Sequence, residues 1–378
     1  MAKYALDFLR KYQLSNRLNG NHRGNETYAR GLLFIVTILA LLSTSTAQTP
    51  DLTALSSEIK ELLPNDKAGA LIGLVNGTEE TVVVVGNSSL SENTLFEYGS
   101  LTKVFTAILL QQLADEGALS LDDRVEQYLP SDVNAGQWQG VSLKHLATHT
   151  AGIPSLPPNL NPVAVWLLGR NDDPFARYDE AKLYKGVEST KIEGAGEIWT
   201  YSNFGFALLG QVLTNASGQS YEALVQTRIL EPLAMETAST TFSHADVAPP
   251  LKANGTNGSR MFFNAIAPAG ALKGSVTDAL QFLRAAMQAC TRDDALSVAL
   301  CKSTQATDIK ANETETQSLG WLRSAQSNHD VVWHNGGTRG YRSFLGFVPE
   351  TNQGVVVLMN VAEVDVTKPA LDFLNSLE

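Results

Sequence analysis

Hydrophobic positions along this chain change period several times, and each change marks an element. From Gly69 to Val85 an apolar run (GALIGLV) meets Asn76-Gly77 and continues as TEETVVVVG, the pattern of a β-hairpin turning at Asn-Gly. A second extended piece, TLFEYGS, runs directly into SLTKVFTAILLQQLADEG. There Val104, Ile108, Leu109 and Leu113 recur at helical spacing, and Gly117 stands where a helix C-cap is expected. Ser100 therefore opens a mostly apolar helix that is expected to be buried.

Between roughly residues 118 and 260 the pattern changes. Helical stretches such as VSLKHLATHT and NFGFALLGQVLTNASG alternate with Pro- and Gly-rich loops such as IPSLPPNLNP. The last part returns to β signals in SLGWLRS, DVVWHNGG, YRSFLGFVPE and QGVVVLMNV, and closes with an amphipathic helix in VTKPALDFLNSLE. Strands at both ends with helices between them predict an α/β (α+β) fold. One antiparallel sheet is built from both chain ends and flanked by helices, with an all-helical region inserted. The expected boundaries are 48–115 with 262–378 for the α/β domain and 116–261 for the helical one.

The first residues follow neither pattern. Six basic residues (Lys3, Arg10, Lys11, Arg17, Arg23, Arg30) against Asp7 and Glu26 precede the uncharged run Gly31 to Leu42. Small residues follow, with Ser45 and Ala47 suited to a signal-peptidase cut before Gln48. Residues 1–47 read as an export signal to the periplasm or exterior, and a membrane anchor is the alternative if the segment is retained. The apolar run is shorter than the roughly 20 residues of a comfortable span. Removing this segment takes the formal charge from -11 to -15, since it carries six positive and two negative charges. An acidic chain lacks the basic face that nucleic acid requires, so nucleic acid is excluded as a partner. Cys290 and Cys301, the two cysteines of the chain, have ten residues between them, compatible with a disulfide in an oxidising compartment or with two packed thiols.

Candidate chemistry begins at Ser100-Leu101-Thr102-Lys103. Positions i and i+3 share a helix face, so the lysine can reach the hydroxyl. A serine is a weak nucleophile until a neighbour takes its proton, and a lysine does so when burial lowers its pKa. The spacing alone is common: Ser57 and Lys60 repeat it at what reads as a surface helix start. Tyr201-Ser202-Asn203 stands before another apolar helical run, where a loop projects side chains into a cleft. A tyrosine can shuttle protons when cations stabilise its phenolate, and an asparagine offers a donor and an acceptor to a substrate amide. The bland alternative is a core tyrosine and an N-capping asparagine. The third element is a β run ending in glycines, Val331 to Gly340 (VVWHNGGTRG), whose backbone can approach a ligand closely beside His334.

In this order the three elements resemble the active-site motifs of the serine β-lactamase and penicillin-binding-protein superfamily. The Tyr-x-Asn form is similar to the class C β-lactamase and D,D-peptidase branch. The resemblance runs from about residue 68 to the C-terminus and includes FEYGSLTKVFT, HLATHTAGIP and APAGALKGSVTD. It implies that Ser100 attacks a carbonyl, that Lys103 and Tyr201 move protons, and that Asn203 holds the substrate amide. It further implies an oxyanion hole made by the backbone N–H groups of Ser100 and Gly337. The substrate class it implies is β-lactams or D-Ala-containing peptides, with carboxylesterase or non-hydrolysing sensor as alternatives. No cofactor is implied, and a monomer is expected. One departure stands out: the usual Lys-Thr-Gly is here His334-Asn335-Gly336, so the cation for a substrate carboxylate is missing unless Arg339 or Arg342 supplies it. His-x-Gly strands also occur in relatives that resemble D-amino-acid peptidases and esterases.

His145 and His149 lie four residues apart but lack the adjacent glutamate of a metalloprotease helix, so packing or hydrogen bonding is expected and no metal. No Gly-x-Ser-x-Gly elbow or phosphate-cradling glycine loop occurs.

Overall fold

The computed structural model describes residues 50–160, 173, 175–241, 247–324 and 329–377. The export signal read at residues 1–47 lies outside them. Asp51–Glu378 form one compact unit.

Helix α1 (Thr53–Glu61) precedes the hairpin of β1 (Gly69–Asn76) and β2 (Glu79–Gly86). Asn76 pairs with Glu79, so the turn proper is Gly77-Thr78, and Gly77 at φ 61° supplies its left-handed residue. A glycine first in a two-residue loop is the other favoured hairpin solution, so the Asn-Gly signal located the turn one residue early. Ser57 and Lys60 lie exposed within α1, where Ser57 donates to its own helix at Thr53 O.

After β3 (Phe96–Glu97) a 3₁₀ turn, Gly99–Leu101, leads into α2 (Thr102–Asp115). The end of α2 is closed as its glycine predicts. Gly117, at φ 73°, donates to Ala114 O, and Ala118 reaches back to Leu113 O. The intervening region carries α3 (Leu143–Ala147), α4 (Glu180–Ser189), α5 (Asn203–Ser217) and α6 (Tyr221–Val225). The chain returns through α7 (Ala267–Gly270), β4 (Lys273–Gly274), α8 (Val276–Gln288) and α9 (Ala295–Ser303). It ends with β5 (Glu315–Gln317), β6 (Leu322–Ser324), β7 (Val331–Gly337), β8 (Arg342–Val348), β9 (Gln353–Met359) and α10 (Thr367–Asn375).

The sheet order is β2-β1-β9-β8-β7-β6-β5, and every pairing is antiparallel. Strands from the two ends of the chain are neighbours, second and third in that order, where Ala70 pairs with Met359 and Leu74 with Val355. Because side chains alternate across a strand, the runs in β1 and β9 divide between two faces. Leu71, Val75, Val356 and Leu358 join the core of α2, α5 and α8. Ala70, Ile72, Val355 and Val357 face the other way, against Leu55 and Ile59 of α1 and Phe373 and Leu374 of α10. A sheet covered on both faces explains continuous hydrophobic strands where a half-exposed sheet would alternate. Cys290, just after α8, and Cys301, in α9, form a disulfide, which settles the pairing that the sequence left open. The two-stranded sheet of β3 and β4 pairs Phe96 with Gly274 and brings the turn that carries Ser100 beside α7.

Candidate active site

The three sequence elements converge at the N-terminal end of α2. Ser100 sits in the 3₁₀ turn, and Lys103 one turn further on is completely buried. Such burial is available because α2 is mostly apolar and buried along Thr102–Leu113, packed into the main hydrophobic core. Lys103 Nζ donates to Ser100 Oγ at 3.0 Å, to Asn203 Oδ1 at 2.8 Å and to Ala269 O at 2.7 Å. Three acceptors match the three N–H bonds of an ammonium and favour its charged form, while burial pulls its pKa well below the ordinary lysine value. These opposing effects make a lysine that holds a proton by geometry and gives it up more readily than one in water.

Tyr201 approaches from the other side, its hydroxyl donating to Ser100 Oγ at 2.8 Å. Ser202 is the N-cap of α5, its Oγ accepting from Gly205 N at 2.9 Å. The capping role considered for Asn203 thus belongs to its neighbour, and Asn203 Oδ1 accepts from Lys103. The sequence suggested that cations near Tyr201 would stabilise a phenolate. The structure differs: Lys103 Nζ lies 4.9 Å from the ring centroid, over its face, and burial raises the Tyr201 pKa. Tyr201 rests as a neutral phenol that can pass a proton on but does not stand ionised.

The glycine end of β7 forms the third wall. β6 pairs only with Val331–Trp333 of β7, and His334–Gly337 run on beyond it toward the Ser100 turn. Contact there is backbone against backbone. A Cβ on Gly336 would lie 2.0 Å from Tyr98 O and 3.1 Å from Ser100 N, and one on Gly99 would lie 2.8 Å from Gly337 N. Gly99 also has φ 55°, so its lack of a side chain serves both conformation and approach. Ser343 of β8 fastens the same junction by donating to Tyr98 O at 2.7 Å. The resulting cleft of about 150 Å³ is lined by Ser100, Asn335, Gly336, Gly337, Arg342 and Thr367, among others.

His334 is buried, and its Nδ1 lies 2.5 Å from Asn335 O. A carbonyl only accepts, so Nδ1 carries the proton and Nε2 is bare. Desolvation, with help from the Lys103 charge, lowers its pKa to about 3, so it is a neutral ring at physiological pH. Arg342 lines the cleft, but Nε donates to Val364 O at 3.0 Å and one terminal nitrogen to Thr338 O and Tyr341 O at 3.1 and 3.0 Å.

His145 and His149 do separate work, in keeping with the packing and hydrogen-bonding expectation. His145 completes a capping box with Ser142 at the start of α3, while His149 accepts from Ser202 N through Nδ1 at 3.0 Å. The carbonyl of Ala269 was invisible to sequence reasoning, because every residue offers one and only the fold selects which faces Lys103.

The profile of the beta-lactamase family matches residues 60–374. Penicillin-binding protein 4* of Bacillus subtilis (strain 168) is 27% identical over 307 residues, covering 72% of this chain and 62% of that protein, so the chain spans less than two thirds of this relative. The D-alanyl-D-alanine-carboxypeptidase/endopeptidase AmpH of Escherichia coli (strain K12) is 25% identical over 297 residues, 74% of each chain. Among solved structures, an octameric penicillin-binding protein homologue from Pyrococcus abyssi superposes with a TM-score of 0.73 at 27% identity, covering 85% of this chain and 76% of that one. A class C beta lactamase from Rhodobacter sphaeroides shares the fold, with a TM-score of 0.71 at 22% identity over 85% of this chain and 97% of that one. The chain is a member of the beta-lactamase family, the serine hydrolases that also include penicillin-binding proteins.

Proposed function

We propose that this protein is an exported serine hydrolase that forms an acyl-enzyme on Ser100 with β-lactams or D-Ala-containing peptides and releases it to water. The observation that carries the reading is the position of Ser100 Oγ, between Lys103 Nζ at 3.0 Å and Tyr201 OH at 2.8 Å. In the acylation step Ser100 Oγ bonds to the substrate carbonyl carbon as its proton passes to Lys103, which must be neutral to accept it. Tyr201 relays a proton to the departing nitrogen as the C–N bond breaks. The N–H groups of Ser100 and Gly337 take the developing oxyanion, a contribution of about 3 kcal/mol per donor. Asn203 holds the substrate amide while keeping Lys103 in place. Water then attacks the acyl carbon, and the same groups return the proton to Ser100. Support for the substrate class comes from relatives named for penicillin binding and D-alanyl-D-alanine carboxypeptidase activity.

Export is part of this proposal. The basic and apolar pattern of residues 1–47 supports it, as does the Cys290–Cys301 disulfide, which suits an oxidising compartment. Among the described residues no helix is long and apolar enough to cross a membrane.

A second reading, a carboxylesterase on small esters, is favoured by one specific observation. His334 is neutral, and three of the Arg342 donor interactions go to backbone carbonyls, which leaves recognition of a substrate carboxylate weakly provided for. Intact-protein mass after mixing with a penicillin, beside a Ser100→Ala control, separates the readings. A Ser100-dependent adduct, or Ser100-dependent consumption of the drug, supports the proposal. Unchanged drug and no adduct, with Ser100-dependent hydrolysis of p-nitrophenyl butyrate, replaces it with the esterase.

A further inference from the structure

We propose that His149 is a positioning residue, clamping both neighbours of Tyr201 and so fixing where the phenol meets Ser100; this rests on the acyl-enzyme reading above. The carbonyl of His149 accepts from Thr200 N at 2.7 Å, and its ring Nδ1 accepts from Ser202 N at 3.0 Å. One residue thereby holds the backbone on each side of Tyr201. The ring is fixed in turn by its neighbours, lying 4.5 Å from the Tyr201 ring, 5.0 Å from Phe206 and 5.8 Å from Trp199 between centroids.

Two further features fit a clamp better than a space-filling side chain. His149 has φ 59°, a left-handed conformation that is uncommon for a residue with a bulky side chain and concentrates at functional sites. Its ring is buried, and desolvation together with the nearby Lys103 charge keeps it neutral, which leaves Nδ1 free to accept. An apolar side chain would fill the same space and leave the Ser202 N–H without this acceptor. Ser202 also caps α5, and Asn203, the next residue, holds Lys103. The clamp therefore adjoins Tyr201, which bonds Ser100 Oγ, and the segment whose Asn203 holds Lys103, the other side chain that bonds it.

Asparagine is the discriminating substitution, because its Oδ1 falls where Nδ1 was and it tolerates positive φ. Glutamine places its acceptor nearer the position of Nε2. The test measures the rate at which a fluorophosphonate probe labels Ser100 in wild type, His149→Leu, His149→Asn, His149→Gln, Tyr201→Phe and His149→Leu/Tyr201→Phe. The expected result is a loss of about tenfold or more for His149→Leu and at most about threefold for His149→Asn. With Tyr201→Phe already present, adding His149→Leu should cost less than about twofold, since coupled residues are not additive. Hydrogen exchange supplies a readout independent of the probe: the amide of Ser202 should exchange faster in the Leu and Gln variants than in wild type and the Asn variant, with the Thr200 amide, held by the main-chain carbonyl of His149, as the internal reference. Wild-type labelling in His149→Leu, full additivity with Tyr201→Phe, or equal behaviour of Asn and Gln overturns the proposal. Unchanged exchange overturns it as well. If His149→Leu does not fold, the Asn and Gln pair decides the matter. A wild type that the probe does not label sinks the acyl-enzyme reading instead, and the exchange experiment still judges the clamp.

Discussion

The hydroxyl of Tyr201 donates to Ser100 Oγ at 2.8 Å while the ring beneath it faces the Lys103 ammonium, 4.9 Å from the centroid. One aromatic side chain thus serves the nucleophile through its edge and the cation through its face. Tyr201→Phe keeps the face and removes the edge. Substrate hydrolysis should fall by about 10²-fold or more, with the fold intact, because a proton relay is lost and packing is not. Matched circular dichroism and thermal midpoints would accompany the rate measurement.

Lys103 gives the reaction its expected pH dependence. Burial holds its pKa well below 10.5, and the neutral amine is the form that accepts the Ser100 proton. Acylation should therefore accelerate as pH rises and level off at a midpoint well under that of free lysine. Lys103→Arg, which stays charged throughout, should abolish the reaction at every pH tested.

His334 makes a prediction about stability. Its folded pKa, about 3, lies below the ordinary value of 6.5, so the unfolded chain takes up a proton that the native state refuses. The contribution of the neutral ring is fully present above pH 6.5 and is lost as pH falls toward 3. The slope is about 1.4 kcal/mol per pH unit for such a group while it is charged only in the unfolded state. His334→Gln should lose less stability than wild type between neutral pH and about pH 4.5, measured by urea unfolding.

Gly336 has no room for a methyl group, since its Cβ would lie 2.0 Å from Tyr98 O. Gly336→Ala should push β7 away from the Ser100 turn and cost about 3 kcal/mol or more, with labelling of Ser100 lost. Wild-type thermal stability and labelling in this variant would contradict the backbone contact.

The Cys290–Cys301 bond closes a short loop joining the end of α8 to α9, and neither cysteine lines the cleft. Replacing both cysteines with serine should lower stability by about 3 kcal/mol, and reductant should act on wild type but not on the variant. Turnover at low temperature should be unchanged.

Much of the fold was legible because long elements declare their period. The hairpin, α2, α5 and strands β7 to β9 each repeat apolar residues over enough positions to set a phase. The two-residue strands β3 and β4 and the 3₁₀ turn at Gly99–Leu101 are too short for any period, and their existence depends on partners far away in the chain. Side chains of the candidate site were legible as types: Ser100, Lys103, Tyr201 and Asn203 do come together. What stayed hidden was assignment among backbone groups. No pattern singles out the Ala269 carbonyl for Lys103, or shows that three donor interactions of Arg342 go to carbonyls. His149 was visible as a residue, but its double hold on Thr200 and Ser202 depends on a left-handed backbone that sequence does not reveal for a histidine.

The pairing of Ala70 with Met359 joins the first and last strands inside the sheet, one strand in from its β2 edge. During synthesis the early hairpin must wait for nearly the entire chain to leave the ribosome before its neighbour exists. Loop closure over such a span slows assembly, and the apolar edge of β1 stays uncovered meanwhile. The newborn polypeptide is thus held open by its own topology until its last strand arrives.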